Sequence, residues 1–129
     1  GRFYHDRDPL FAEALHVNTS YITAVANDYS YEEIYSRLVI AKGRQGDVLI
    51  AISTSGNSAN IIRAADQAKE QGMHVISMTG DSGGGLAICT DIGLNVPSTD
   101  TPRIQESHIL IGHIICQFVE ESLMAVSRD

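Results

Sequence analysis

The chain has 129 residues, of which 43% are hydrophobic and 19% charged; that suits one domain with its own core and excludes wholesale disorder. Its net charge is −7, and no Lys/Arg cluster exceeds two residues. The basic footprint of a general nucleic-acid or anionic-membrane binder is therefore missing, and no apolar run reaches the roughly 18 residues of a membrane span.

In chain order, the N-terminus at Gly1 shows no signal-peptide pattern, and Ala12 to Val17 is a weak strand candidate. Tyr31 to Ala41 carries Ile34, Leu38 and Ala41 at helical spacing. Val48–Ile52 is a short, near-continuous apolar run rich in β-branched residues, the pattern of a strand covered on both faces. Ala59 to Gln71 repeats Ile61, Ile62, Ala65 and Ala68 and stops at Gly72. Two more strand-like runs follow, His74–Met78 and Ile92–Val96. The last periodic stretch runs from about Arg103 to Val126, with Ile104, Ile111, Ile115, Phe118 and Leu123 as its apolar side and Pro102 at its start. Cys89 and Cys116 lie among apolar residues without motif spacing, and read as reduced, buried small hydrophobes of a cytosolic protein.

Strands alternating with helices at this spacing mean βαβ units and a parallel sheet. Right-handed crossovers then place helices on both faces. The expected architecture is a single three-layer α/β domain over residues 1–129.

In open parallel sheets, ligands bind beyond the carboxyl ends of the strands. Just past Val48–Ile52 the chain reads Ser53-Thr54-Ser55-Gly56-Asn57-Ser58 and then enters a helix. Four hydroxyls and a glycine at a helix N-terminus form an anion cradle, where amide groups and the helix dipole attract a phosphate without any lysine. It is not a Walker loop, because the Gly-Lys-Ser/Thr ending is absent. The plain alternative makes Ser58 or Asn57 a helix cap. Thr79 to Gly85 is a second polar turn on the same sheet edge, expected to be flexible with Asp81 as a cap. Asn27 and Asp28 suit a cap pair or a reach toward sugar hydroxyls equally well. On the long helix, Gln105, His108 and His113 interrupt the apolar pattern. Gln105 and His113 are eight apart, about 80° around the axis and roughly 12 Å along it, enough to flank one ligand or metal. From the pattern alone, His113 in this apolar stretch is a core histidine. His5, His16 and His74 read as structural or exposed.

The run from Gly46 to Ser58 closely resembles the phosphosugar-binding signature of sugar isomerase (SIS) domains, which have a flavodoxin-like parallel sheet. Arg103-Ile104-Gln105-Glu106 followed by His113, with Asn27-Asp28 upstream, is similar to one branch of them, the phosphoheptose isomerases. That resemblance implies the aldose–ketose conversion of sedoheptulose 7-phosphate to D-glycero-D-manno-heptose 7-phosphate through an enediol, on the way to heptose for lipopolysaccharide. It implies that Ser53, Thr54, Ser55 and Ser58 hold the phosphate and that Asn27 and Asp28 line the sugar site. Gln105 and His113 become zinc ligands or substrate contacts, with His113 also the acid–base residue. It further implies one zinc ion per site, a cytoplasmic homotetramer with active sites at subunit interfaces, and a phosphorylated sugar as partner, with no nucleic acid or membrane.

Members of that branch carry an N-terminal helical region, a first strand with an Asn-Gly-Gly loop, and a helix bearing a His and a Glu. None of these is matched here, so the chain is expected to be an N-terminally incomplete SIS domain without the carboxylate base and half of the zinc ligands, and inactive by itself. Competing readings are a non-catalytic SIS protein that binds a replication initiator, a phosphosugar sensor, and an isomerase for another phosphosugar. Ser55 and His113, both in place, argue against the initiator-binding class.

Overall fold

The computed structural model describes residues 2–126. Three strands, β1 (Val48–Ile52), β2 (His74–Thr79) and β3 (Ile92–Asn95), form one sheet in the order β1-β2-β3. All pairings are parallel, with Val48 opposite His74, Ile52 opposite Met78, and Thr79 opposite Asn95. Four helices accompany them: α1 (Thr19–Asp28), α2 (Ile34–Lys42), α3 (Ala59–Glu70) and α4 (Thr101–Val126). Short 3-10 turns at Tyr31–Glu33 and Gly84–Cys89 lead into α2 and toward β3. The α/β class with an open parallel sheet is thus the one the sequence pattern implies.

Local chemistry explains the boundaries. Asn18 caps α1 by accepting from the Tyr21 amide at 3.0 Å. The expected helix over Tyr31 to Ala41 divides into the 3-10 turn and α2. α3 stops at Gly72, whose φ of +73° reverses the chain, as the sequence suggested. Asp91 secures the entry to β3: its carboxylate accepts from the Val75 amide at 2.7 Å and pairs with Lys69. The Lys69 contact and then the Val75 amide hold that carboxyl below its ordinary range.

The core lies on one face of the sheet. Ala51 and Val75 pack there against Ala64, Ala65 and Ala68 of α3, with Val39 of α2, Met73 and Leu86 completing the cluster. Three alanines let α3 approach the sheet closely, and burying this apolar face is the main source of its stability. The opposite face departs from expectation. Val48, Ile50, Ile52 and Ile92 are 44–55% exposed, so these strands are not covered on both faces among the described residues. Cover on that side is confined to the middle strand's carboxyl end: Met78 is 2% exposed, although its register partner Ile52 is 52% exposed. α4 meets the sheet at β2, where Ile104 and His108 are buried.

Three smaller expectations are also corrected. Ala12–Val17 is not a strand but a loop with a turn at Leu15–His16, and no strand among the described residues lies beside it to complete a ladder. Cys116 is exposed and Cys89 half-buried, so the thiols are free but not fully buried. On α4, Phe118 and Leu123 face solvent, while His108 and Glu120 take buried positions that an apolar count would not assign to them.

Candidate functional site: a hydroxyl-lined turn at the sheet edge

The turn after β1 is built by four sets of contacts. The Ser53 amide donates to the Met78 carbonyl at 3.0 Å, continuing the β1–β2 ladder one residue beyond the strand. The chain then curls back, with the Gly56 amide on the Ser53 carbonyl at 3.0 Å. Gly56 adopts φ +66°, and a Cβ there would run into the Gly83 carbonyl. Asn57 completes the brace: its side-chain amide donates to the Ser55 carbonyl at 3.0 Å, and its Oδ1 accepts from the Gly85 amide at 2.9 Å.

This geometry settles the capping question. Ser58 occupies the N-cap position of α3, yet its hydroxyl makes no capping bond. It pairs instead with the Ser53 hydroxyl at 2.9 Å, and Ser53 Oγ also lies 3.5 Å from Ser55 Oγ. The Ser58 carbonyl accepts from the amides of Ile61 and Ile62, leaving those of Ala59 and Asn60 at the open end of the helix. Three hydroxyls therefore converge where a helix presents free N–H groups and its positive end, an arrangement suited to an anion. Ser53 is buried, Thr54 and Ser58 are half-buried, and Ser55 is exposed, so the cluster is rooted in the fold and opens to solvent.

The second polar turn is a support for the first rather than a free loop. The Leu86 amide donates to the Gly56 carbonyl at 2.9 Å, and the Gly80 amide to the Thr54 carbonyl at 2.9 Å. Gly83, not Asp81, takes the N-cap position of the Gly84–Cys89 turn, and the Asp81 amide donates to the Ser98 carbonyl at 3.2 Å. Gly80 has no room for a side chain between Ile104 of α4 and the carbonyls of Thr54 and Ser98. The hydroxyl turn and the first turns of α4 are thereby neighbours, and Gln105 follows the shared contact residue Ile104.

The other expected site residues are placed differently. Gln105 and His113 are both exposed on α4. The histidine in the core is His108, 5% exposed, with Nε2 3.1 Å from the Thr79 carbonyl; the pattern-based assignment of that role to His113 is therefore corrected. His113 instead meets the Phe3 ring edge to face at 5.7 Å. Asn27 and Asp28 end α1, exposed and bonded to each other at 3.0 Å, and no hydrogen bond among the described residues ties them to the hydroxyl turn. Two shallow surface concavities, one lined by Asp6, Arg7, Asp8 and Met124 and the other lying between α2 and α3, are also away from it.

Zinc takes four donors, drawn from Cys, His and carboxylate side chains. Gln105 and His113 offer one amide oxygen and one imidazole nitrogen, and no group of three His, Cys, Asp or Glu side chains is clustered among the described residues. The described residues do not by themselves complete a zinc site.

Sequence reading missed Asn57 as a brace, Gly83–Gly85 as its counterpart, and Glu120. The glycine run was visible, but its partner turn was not. Glu120 was visible as an acid following an apolar stretch, seven residues beyond His113.

Comparison with known proteins agrees with this geometry. The SIS domain profile matches residues 3–80. The phosphoheptose isomerase of Rhodospirillum rubrum is 52% identical over 123 residues, covering 95% of this chain and 65% of that protein. The solved phosphoheptose isomerase of Francisella tularensis superposes with a TM-score of 0.87 at 42% identity, covering 89% of this chain and 62% of that one. The Neisseria gonorrhoeae enzyme gives 0.81 at 50% identity, covering 83% and 61%. The chain thus spans 61–65% of the length of these relatives. Its hydroxyl turn, its parallel sheet and a profile match over more than half its length establish that the chain belongs to the SIS domain family.

Proposed function

We propose that the chain is the phosphate-gripping and proton-handling part of a phosphosugar isomerase that converts sedoheptulose 7-phosphate to D-glycero-D-manno-heptose 7-phosphate. The observation that carries this reading is the convergence of the Ser53, Ser55 and Ser58 hydroxyls on the N-terminus of α3. The names of the relatives above supply the sugar; the hydroxyl turn reports only the phosphate.

In this reading Ser53, Thr54, Ser55 and Ser58 donate to the phosphate oxygens together with the amides of Ala59 and Asn60. Gln105, beside the shared contact at Ile104, hydrogen-bonds sugar oxygens, and Asn27 and Asp28 approach the sugar from α1. Isomerisation moves a proton between neighbouring carbons through an enediol and shuttles protons between the oxygens. His113 carries that oxygen-bound proton, since an imidazole accepts and returns one near neutral pH. No hydrogen bond among the described residues ties a carboxylate to Gln105 or His113, and the carbon base is proposed to come from a group beyond these residues. A zinc ion would need ligands beyond Gln105 and His113.

Self-association and a cytoplasmic location complete the reading. Ile109, Leu110, Ile114, Phe118 and Val119 are large apolar side chains left exposed around α4, which supports assembly into the homotetramer. The free thiols suit a reducing compartment, and no helix among the described residues is long and apolar enough to cross a membrane.

The test is calorimetric titration of the 129-residue chain with sedoheptulose 7-phosphate, followed by an aldose–ketose assay. Binding that is weakened in Ser55→Ala, with no turnover by this chain, is expected. Failure to bind any sugar phosphate overturns the phosphate reading, and robust turnover overturns the need for an external base.

A further inference from the structure

Glu120 is a carboxylate only 1% exposed, in the second half of an α4 whose apolar residues nearby face solvent. Burying such a group is costly unless every lone pair is engaged. Here they are. Oε1 accepts from the Phe3 amide at 2.8 Å and from Arg7 Nε at 2.9 Å; Oε2 accepts from the Tyr4 amide at 2.5 Å and the His5 amide at 3.0 Å. Three consecutive amides and a guanidinium thus close on one side chain, more than 110 residues away in sequence. Burial alone would raise the carboxyl's pKa, but these donors outweigh it and bring it down to about 2.

The segment held this way has no helix or strand to hold it otherwise. Glu120 and His113 are seven residues apart on one helix, within about 20° around the axis and roughly 10 Å along it. The chain that Glu120 grips by its amides therefore runs along the face that carries His113. One of the three gripped residues is Phe3, whose ring meets the imidazole edge to face at 5.7 Å and 68° and the Tyr4 ring, also edge to face, at 4.6 Å.

We infer that Glu120 is a positioning residue: it clamps Phe3–Arg7 across α4 so that Phe3 holds the His113 imidazole in one orientation. The clamp stands on geometry alone; its value to catalysis rests on the role proposed for His113. A purely structural anchor would alter stability without changing the surroundings of the imidazole. The clamp ties the two together.

The experiment is NMR on the 129-residue chain, with the His113 ring resonances assigned by their loss in His113→Asn. In the unmodified protein, cross-relaxation between the Phe3 and His113 rings is expected, and its absence overturns the proposal even where every variant fails to fold. In Glu120→Gln, a neutral amide cannot engage all four donors. Hydrogen exchange at the Phe3, Tyr4 and His5 amides is expected to rise about tenfold or more. The His113 ring resonances should shift toward those of Phe3→Leu, and Glu120→Asp should restore part of the protection. A folded Glu120→Gln with protected amides and unmoved His113 resonances overturns the clamp. Titration with sedoheptulose 7-phosphate separates the two readings: binding unchanged in Glu120→Gln supports a clamp distinct from the phosphate site. Failure of the unmodified chain to bind the sugar phosphate undermines the isomerase reading and leaves the ring contact to be judged by cross-relaxation.

Discussion

The hydroxyl turn after β1 and the exposed face of α4 hold the two halves of the proposed chemistry, and they are supported in different ways. The turn is self-contained. Gly56 leans on Gly83, Asn57 on Gly85, and Thr54 on Gly80, all within a stretch of some thirty residues. On α4, Gln105 and His113 stand in solvent, and the contact recorded for the His113 ring is Phe3, a residue from the far end of the chain. Binding of an anion needs fixed donors at one helix end, which a local turn supplies. Acid–base chemistry on a sugar needs groups converging from several elements, and here such convergence depends on long-range contacts.

The comparison can be tested at points of decreasing effect. Gly56→Ala should be the most damaging change, because it forces a Cβ against the Gly83 carbonyl at φ +66°. A loss of about 2–4 kcal/mol is expected in urea denaturation, together with loss of phosphate binding. A stable, binding-competent Gly56→Ala would show that the two turns are not braced as described. Next, Ser55→Ala and Ser58→Ala should each weaken sugar-phosphate affinity by about 1–3 kcal/mol in calorimetry, the range for a hydrogen bond to a charged oxygen. An unaltered affinity in both would move the anion elsewhere.

The two histidines of α4 sharpen the contrast further. His108→Leu removes the 3.1 Å bond to the buried Thr79 carbonyl, which keeps the Val96 amide at 3.0 Å, and should cost about 1 kcal/mol of stability. His113→Asn, at an exposed position, should change stability by less than about 0.5 kcal/mol while abolishing turnover in a full-length relative. Reversed stabilities would return His113 to the core.

The smallest effect is that of pH on the clamp. The Glu120 carboxyl is lowered from an ordinary 4.5 to about 2, so its ionised form favours the folded state. Its contribution is complete above pH 4.5, declines from there as the unfolded chain takes up the proton, and is lost as pH falls through about 2. Amide protection at Phe3–His5 should accordingly outlast the usual carboxylate range on acidification. Release of these amides near pH 4.5, with the core still folded, would show that the carboxylate is not held as described.

Much of this could be read directly. The β-branched runs marked all three strands to within a residue, and the stop at Gly72 and the hydroxyl cluster were plain, because each is a local signal whose cause lies within a few positions. Ala12–Val17, a weak strand candidate, forms none, since a strand exists only where another lies beside it. The roles of His108 and His113 were not readable either. Both interrupt the same apolar helix, and only the packing of β2 against the first turns of α4 buries one and leaves the other out.

By itself, then, the amino-acid order determined the parallel α/β architecture and the anion-seeking turn, since helix periodicity, strand composition and an N-terminal dipole are properties of contiguous residues. Tertiary structure alone decided that the Gly83–Gly85 turn braces the hydroxyls, that His108 is the core histidine, and that Glu120 fastens the first residues beside His113. Each of those depends on groups brought together across tens of residues, where burial and hydrogen-bond satisfaction, rather than local pattern, select the partner.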